Sequence, residues 1–434
     1  MKTSASHFLV GVARRNISPL NAALLVPTGM PRTEPTFGVF DPLYVEAMAL
    51  SLGDEAAVLL TADLRLWPTA WVADIRESIA DRIGIEPWHV LFSATHNHCS
   101  SPAAANRSPE AVAAVEAANR RIVEAAKEAC CEAFENRRPA EMAAGHTLLS
   151  EPIGQNRRIR FADGICINGW GAGTIVPPGQ RIVGAAGPDS ARVDFWCARE
   201  PGAEIPFALL VSYATHPHFY ELPAFSGEFS GAAKRHLVER LPGATVLYAN
   251  HAGGDIDIHR VHPMPDGSEA RRTWFRESAD HRGARLAETV LAVLSSANYV
   301  TPHTLRHDRF TTESRCQTPD LRSFNIIGLA LDNVAFLSLP GELFHELGLR
   351  IHAGSPFADL CLLGYNGIGR CYLPPPLGFE QGGFEVQRGP APPAPDGDAL
   401  TPLPIAAGAR METGLRLVEE ALALLHRLRW QRGE

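Results

Sequence analysis

Apolar and polar positions follow two different periods early in the chain. The run EAAVLLTADL (55–64) is almost continuously apolar up to Asp63, which is typical of a strand buried on both faces. The next segment, 71–85, repeats its apolar residues at helical spacing, and the run 89–98 is again apolar until it reaches His96. Strand, helix and strand predict a βαβ unit. Asp63 and His96 are therefore expected near the carboxyl ends of strands, where ligands gather in open α/β sheets.

The remaining pattern extends this α/β arrangement. Ser108, Pro109 and Glu110 have the order of N-cap, first helical residue and first-turn acid, and the alanine-rich helix they open runs to about Phe134. Further strands are predicted at 206–215, at 244–250 and from 358, and a pair of strands that turns at Asp332 and Asn333 is predicted within 325–338. Further helices are predicted at 231–240, 274–294, 342–351 and 405–430. The proline-rich stretch 388–404 is predicted as a surface loop or lid. Residues 1–434 are predicted to form a single domain, closed by the last helix.

Composition excludes several classes of protein. At 434 residues, 45% hydrophobic and 20% charged, the chain is of ordinary globular composition. Its net charge of −8 is spread without a basic block, so nucleic acid is not expected as a partner. No apolar run approaches the ~20 residues of a membrane span, and the N-terminal run is too short for a signal peptide. The eight scattered cysteines form no C-x-x-C pair, so we expect reduced thiols and a cytoplasmic protein. A homo-oligomer is left open.

Candidate chemistry lies where the apolar runs stop. In FSATHNH, His96 and His98 are two positions apart, so an extended chain directs both imidazoles to one side, which makes half of a zinc site. The alternative is a pair of hydrogen-bonded histidines lining a loop. Four further apolar runs end in residues able to bind metal: His216 and His218, then Asp255, Asp257 and His259, then Glu342, and finally Tyr372.

Each of these motifs has a structural explanation when it is taken alone. Glu342 can sit in the first turn of its helix, where the helix dipole favours a negative charge. Tyr372 can be a half-buried aromatic with its hydroxyl in water. The strands of one sheet bring their ends together, however, and the three ligands His96, His216 and Glu342 would leave a position open on zinc for water.

These motifs, in this order, resemble the catalytic domain of the neutral (alkaline, non-lysosomal) ceramidases. The matching pieces, between about residues 10 and 388, are GVARRNISP, PTGM, LLTADL, SATHNHCS, YATHPH, GGDID, LPGELF and YLPPPLGFEQGGFEV. The resemblance implies an α/β fold of mixed β-sheets flanked by helices, with the active site at the carboxyl ends of the strands. It also implies a member without the C-terminal β-sandwich domain of the larger ceramidases.

The resemblance implies a role for each matching residue. One Zn²⁺ per chain would be held by His96, His216, Glu342 and Tyr372, and His98 would stand beside it to hydrogen-bond the scissile carbonyl or protonate the leaving group. Two departures from the family pattern stand out. Asp257 replaces a serine of the ceramidases, and one extra residue precedes Tyr372.

The acidic residues around GGDID leave several roles open. Asp63, Asp255 and His259 are candidates for supporting the ligands or for holding a second divalent cation. For Asp255 the alternative is a carboxylate that braces a turn. Asp257 is predicted to act as a base or to orient a ligand histidine.

Arginines near the motifs bear on the substrate. Arg157 and Arg158 fall in one stretch with Asn156 and Arg160, and Arg370 lies two residues before Tyr372. They are predicted to bind a polar or carboxylate-bearing small molecule, with surface solubility as the alternative. The leading hypothesis is a zinc-dependent hydrolase of the amide bond of a small, polar N-acyl compound. A zinc esterase or lactonase and a non-catalytic metal-binding protein are the alternatives.

Overall fold

The structure is a computed structural model. It describes residues 7–27, 36, 38–168, 178–217, 224–258, 268–315, 321–367, 371–386 and 411–431.

The described strands and helices alternate along the chain. The strands up to residue 168 are β1 (Phe8–Asn16), β2 (Leu25–Pro27), β3 (Tyr44–Leu52), β4 (Glu55–Ala62), β5 (Val90–Ala94), β6 (Pro102–Ala104), β7 (Arg138–Pro139), β8 (Glu141–Leu148), β9 (Gly154–Asn156), β10 (Arg158–Phe161) and β11 (Cys166–Asn168). The later strands are β12 (Ile182–Ala185), β13 (Arg192–Arg199), β14 (Ala208–Tyr213), β15 (Thr245–Asn250), β16 (Ile256–Ile258), β17 (Leu305–Arg315), β18 (Leu321–Leu331), β19 (Val334–Ser338), β20 (Glu342–Leu343), β21 (Asp359–Leu363) and β22 (Tyr372–Leu373). The helices are α1 (Thr69–Ile83), α2 (Pro109–Glu135), α3 (Glu228–Arg240), α4 (Ser268–Leu294), α5 (His345–Gly354), α6 (Pro376–Gln381) and α7 (Thr413–Trp430).

Three larger sheets form the frame. Their strand orders are β5-β4-β3-β1-β7, β15-β14-β13-β8 and β17-β18-β19-β21, and four smaller sheets of two or three strands surround them. The pairs β4–β5, β14–β15 and β19–β21 are parallel, and the other pairs in the three larger sheets are antiparallel. The predicted βαβ unit is therefore confirmed, and so are the mixed sheets flanked by helices.

Each large sheet is covered by its own pair of helices. Helices α1 and α2 pack over the first sheet, α3 and α4 over the second, and α5 and α7 over the third. A central apolar cluster joins the three sheets, with Met48, Trp196 and Phe336 among its buried members. Parallel strands at this junction bring their carboxyl ends, and the residues that follow them, towards one another.

Several sequence-based expectations need correction. Helix α5 begins at His345 rather than at residue 342, because Glu342 instead pairs with Tyr372 between β20 and β22. Strands β1, β3, β8, β13 and β17 were not predicted from the pattern. Cys371 is disulfide-bonded, so the expectation that all thiols are reduced is wrong for this residue, and the cysteine argument for a cytoplasmic location loses its support. The 388–404 stretch and residues 405–410 lie outside the described residues, while α7 accounts for the rest of the predicted closing helix. Among the described helices, none combines the length and apolarity that a bilayer crossing requires.

Candidate metal centre

His96 stands two residues beyond the end of β5. Its backbone has a φ of 62°, a left-handed conformation that costs a non-glycine residue about 1 kcal/mol or more. The loop after β4 holds it there, because the His96 amide donates to the Leu64 carbonyl at 2.9 Å and its ring Nδ1 lies 2.5 Å from the Arg65 carbonyl. The partner carbonyl assigns the ring proton to Nδ1, so Nε2 is left as a lone-pair acceptor.

His216 is positioned in the same manner at the end of β14. Its amide donates to the Ile256 carbonyl at 3.0 Å, and its ring Nδ1 lies 2.7 Å from the Gly253 carbonyl and 2.9 Å from that of Ile256. The second imidazole therefore also presents its Nε2 lone pair to the interior.

Glu342 completes a group that we call the strand-end cluster: His96, His216 and Glu342. The Glu342 amide donates to the Cys371 carbonyl at 2.8 Å, and its Oε2 lies 3.4 Å from Nε2 of His96 and 3.3 Å from Nε2 of His216. All three residues are at most 2% exposed, and their ligand atoms lie within 4.8 Å of one another. Three acceptors facing one another in a buried site repel unless a cation lies between them, so the donor set fits a metal ion.

The protonation state of His216 matches that of a metal ligand. Burial, reinforced by the charge of Arg157, lowers the pKa of His216 to about 3, so the imidazole is neutral. A neutral imidazole is the form in which histidine binds zinc.

Two tyrosines flank the strand-end cluster. The Tyr372 ring stacks towards His216 at a centroid distance of 6.4 Å, and its hydroxyl accepts from Nη2 of Arg157 at 3.1 Å. The Tyr365 ring stacks on His96 at 4.1 Å, and its hydroxyl has no hydrogen-bond partner among the described residues. Sequence reasoning missed Tyr365, although its place between Gly364 and Asn366 directly after β21 was the available signal.

His98 lies beside the cluster and outside the three-ligand group. Its ring centroid is 5.2 Å from that of His96 and 6.1 Å from that of His216. Its backbone amide donates to Oε2 of Glu228 at 3.0 Å. Glu228, a buried residue with a φ of 49° at the start of α3, was not singled out from the sequence.

The acidic candidates are brought near the cluster but not into it. Asp255 accepts hydrogen bonds from the His345 amide at 2.7 Å and from Nδ2 of Asn156 at 2.6 Å. These bonds connect the start of α5 to β9 and satisfy both carboxylate oxygens without a cation. Asp257 accepts from the Ile258 amide at 2.9 Å, and its backbone bridges to that of His216. Neither carboxylate belongs to a metal-like group of the described residues.

Asp63 has a different partner altogether. Both of its carboxylate oxygens lie 2.9 Å from Nζ of Lys234, which also contacts Glu46 at 2.7 Å. We call Asp63, Glu46 and Lys234 the lysine cluster. His218, His259 and Arg370 lie outside the described residues.

The two candidate arginines are buried rather than exposed. Arg157 and Arg158 are 4% and 1% exposed, so the alternative of surface solubility is wrong. Arg157 Nε donates to Glu385 at 2.8 Å and Arg158 Nη1 at 3.1 Å, so two guanidinium groups share one carboxylate. Burial raises the pKa of Glu385, but the two guanidinium groups outweigh it and hold this pKa below the usual range. Sequence reasoning missed Glu385, which lies at the end of the matching motif YLPPPLGFEQGGFEV.

A cavity of about 280 Å³ lies at the same sheet edge. Its lining is mostly apolar, with Leu64, Leu66, Trp71 and Pro102 beside the polar residues Arg65, Ser101 and Asn119. The Arg65 carbonyl also holds the ring of His96, but no residue of the strand-end cluster lines this cavity.

Two solved structures share this architecture. Neutral ceramidase from Pseudomonas aeruginosa superimposes with a TM-score of 0.71 at 13% sequence identity, covering 98% of this chain and 75% of that one. A ceramidase complexed with C2 gives a TM-score of 0.70 at 12% identity over the same shares of the two chains. No protein-family model matches the chain, and neither does any curated protein. The likeness shows the fold, and at that level the resemblance predicted from the motifs is confirmed.

Proposed function

We propose that the protein is a zinc-dependent hydrolase that cleaves the amide bond of a small, polar N-acyl compound. The observation that carries the proposal is the convergence of two imidazole nitrogens and one carboxylate oxygen on a single buried point, at the sheet edge where this fold gathers its strand ends. The ceramidases that share the fold are amide hydrolases by name, which favours C–N cleavage over other uses of such a centre.

The residues divide into ligands and proton carriers. His96, His216 and Glu342 would hold the ion, with Tyr372 as a fourth ligand. When bound, zinc polarises a carbonyl and lowers the pKa of water to about 7. The ring of His98 lies beside the cluster, with its centroid 5.2 Å from that of His96. From there it can hydrogen-bond the scissile carbonyl or pass a proton to the departing amine.

Asp257 is proposed as a second proton-handling group. Its backbone bridges to His216, so the carboxylate belongs to the same strand-end loop as a ligand histidine. Asp257→Asn keeps the shape but cannot take a proton, and we expect turnover at neutral pH to fall more than ~10-fold with metal content unchanged. Wild-type turnover in this variant would leave Asp257 with a structural role only.

The preference for a polar substrate rests on the buried positive charge beside the cluster. The positive charge of Arg157 reaches the cluster, since after burial it is the next largest cause that lowers the pKa of His216. An anionic or strongly polar group on the substrate would therefore be favoured on the Arg157 side.

The experiment combines metal analysis with a substrate panel. Purified protein is expected to lose turnover on chelation and to regain it with Zn²⁺, and His96→Ala should lack both the metal of this site and turnover. His426→Ala, on the exposed face of α7, is the matched control. The panel contains N-acyl compounds of increasing chain length, matched esters and lactones, and long-chain ceramide. Preference for esters would make the protein an esterase, efficient ceramide hydrolysis would refute the small substrate, and metal binding without any turnover would favour a non-catalytic protein.

A further inference from the structure

A second group of buried imidazoles lies where the loop that holds the His216 ring begins, at His251. Asp194 belongs to β13, His251 directly follows β15, and His352 is in the last turn of α5. Because β13 begins where β14 and β15 end, Asp194 and His251 reach the same edge of the second sheet, and α5 covers them. One ligand atom from each residue lies within 4.8 Å of the other two. We call these three residues the Asp194 cluster.

The polar atoms of the Asp194 cluster are not satisfied by hydrogen bonds among the described residues. His251 is 2% exposed and has no partner at either ring nitrogen. Neither ring nitrogen of His352 makes a hydrogen bond, although its Nε2 lies 3.3 Å from Oδ2 of Asp194. A buried polar group without a partner destabilises the fold, so the fold would gain from a ligand shared by all three.

The other contacts of Asp194 leave one of its carboxylate oxygens facing the imidazoles. Arg192 binds the other carboxylate oxygen, Oδ1 of Asp194, at 2.8 Å, which leaves Oδ2 for the imidazoles. His146 and Asp359, which face the same space, form a separate pair at 3.7 Å.

We propose that Asp194, His251 and His352 form a second metal site, which takes a first-row divalent cation such as Zn²⁺. Two imidazoles and one carboxylate are ligands that zinc and its neighbours prefer, whereas Mg²⁺ and Ca²⁺ require oxygen ligands throughout. Zinc bonds of ~2.0–2.2 Å need ligand atoms closer than ~4.4 Å to one another. The 3.3 Å between Asp194 and His352 already meets this, and only a small inward movement of the third ligand is required.

The second site has a structural role, because it secures the loop that orients the strand-end cluster. The loop that begins at His251 also supplies the carbonyls of Gly253 and Ile256 that fix the His216 ring. His345, at the start of the same helix as His352, packs its ring 6.1 Å from that of His251. A cation held by His251 and His352 would join this loop to α5.

Metal stoichiometry tests the proposal without reference to turnover. Chelator-treated protein is titrated with Co²⁺ and with Zn²⁺, and the bound metal is counted after dialysis. We expect two equivalents in the wild type, one in His251→Asn, one in Glu342→Gln and none in the double variant. The control His89→Gln alters a more exposed group of Glu55, His89 and His307 and should keep two.

The outcomes separate this site from the proposed function. A single equivalent in the wild type that persists in His251→Asn, or two equivalents in His251→Asn, would overturn the second site, as would a loss of one equivalent in His89→Gln. If His251→Asn does not fold, Asp194→Asn provides the test: it should weaken the second equivalent at least ~10-fold and leave the first unchanged. Failure of the proposed hydrolase would appear instead as two bound metals with no turnover on any substrate.

Discussion

Two neighbouring strands of the first sheet end in buried polar clusters that differ in one component. After β4, Asp63 meets Glu46 and the ammonium group of Lys234, at 2.7–2.9 Å from each carboxylate. After β5, His96 meets His216 and Glu342, and the facing atoms are all acceptors at 3.3–3.4 Å. The lysine cluster contains its own cation, whereas the strand-end cluster offers a place for one from outside.

The difference shows that a carboxylate at a strand end does not define a metal site by itself. The element packed against the strand end decides whether a cation is already present. Helix α3 brings Lys234 to Asp63, whereas β20 brings the carboxylate of Glu342 to the histidines of the neighbouring strand end. A resident ammonium supplies the acids with an internal cation, while convergent lone pairs fit a metal from outside. Asp63 is thereby explained as a structural residue.

The largest effect is expected from removing the resident cation. Lys234→Met keeps the length of the side chain but leaves Asp63 and Glu46 buried without a positive partner. Loss of one member of a buried ion pair typically costs about 3–5 kcal/mol, so the free energy of unfolding measured in denaturant should fall by about that much.

Lys127→Met is the matched control for this change. Lys127 pairs with Asp74 and Glu124, whose side chains are 57% and 63% exposed, so its loss should cost no more than about 1 kcal/mol. Equal losses in the two variants would contradict the claim that the lysine cluster depends on an internal cation.

The next effect concerns His98, the residue beside the proposed metal ligands. His98→Ala should keep the metal and lose about 10²–10⁴-fold in kcat, because general acid–base groups contribute by that factor and His98 is no ligand in the strand-end cluster. Metal content and turnover are measured on the same sample, with His426→Ala as control. Loss of the metal in His98→Ala would make His98 a ligand and refute the division of roles.

Many of the strands and helices could be predicted because they depend on the apolar periodicity of short segments of the sequence. The continuous apolar runs of β4 and β5 and the helical spacing of α1 gave the βαβ unit, and the strand ends gave His96 and His216. Glu342 was also identified as a candidate ligand, but its place in a short strand was not predicted. Its two-residue pairing with Tyr372 has no periodicity, so the local signal favoured a helix start.

The partners of these residues could not be predicted, since they depend on distant packing. Lys234 lies 171 residues from Asp63 and looks, in sequence, like any polar position of a surface helix. Asp194 and His352 lie inside β13 and α5, where no strand end marks them. Tertiary contacts between elements, rather than the pattern within one element, create both clusters.

A smaller effect should appear in the pH dependence of stability. Burial, together with repulsion from Asp63, raises the pKa of Glu46 from 4.5 to about 7 in spite of Lys234, because one ammonium group cannot neutralise two carboxylates fully. Between these two values the folded state retains a proton that the unfolded state has released, so this group makes the fold less stable as pH rises from 4.5 to 7.

Glu46→Gln removes this contribution. The stability of the wild type relative to Glu46→Gln should fall by about 1–3 kcal/mol between pH 5 and pH 8. Denaturant unfolding at both pH values measures it. Glu141→Gln, in a partly exposed pair with Arg199, is the control and should show a much smaller change. A relative stability that rises with pH would mean that Glu46 is ionised throughout.

The smallest effect is expected from Glu342→Gln in metal-free protein, and it tests the comparison most directly. The carboxylate there faces two imidazole lone pairs, whereas a glutamine amide can donate to one of them, so the free energy of unfolding should stay within about 1 kcal/mol of the wild type or rise. Glu346→Gln, on the exposed side of α5, provides the control. The same variant should lose the metal of this site completely, because a neutral amide is a poor zinc ligand. A loss of more than about 2 kcal/mol without metal would mean that Glu342 balances a protonated histidine. The strand-end cluster would then contain its own cation, like the lysine cluster, and the contrast between the two strand ends would fail.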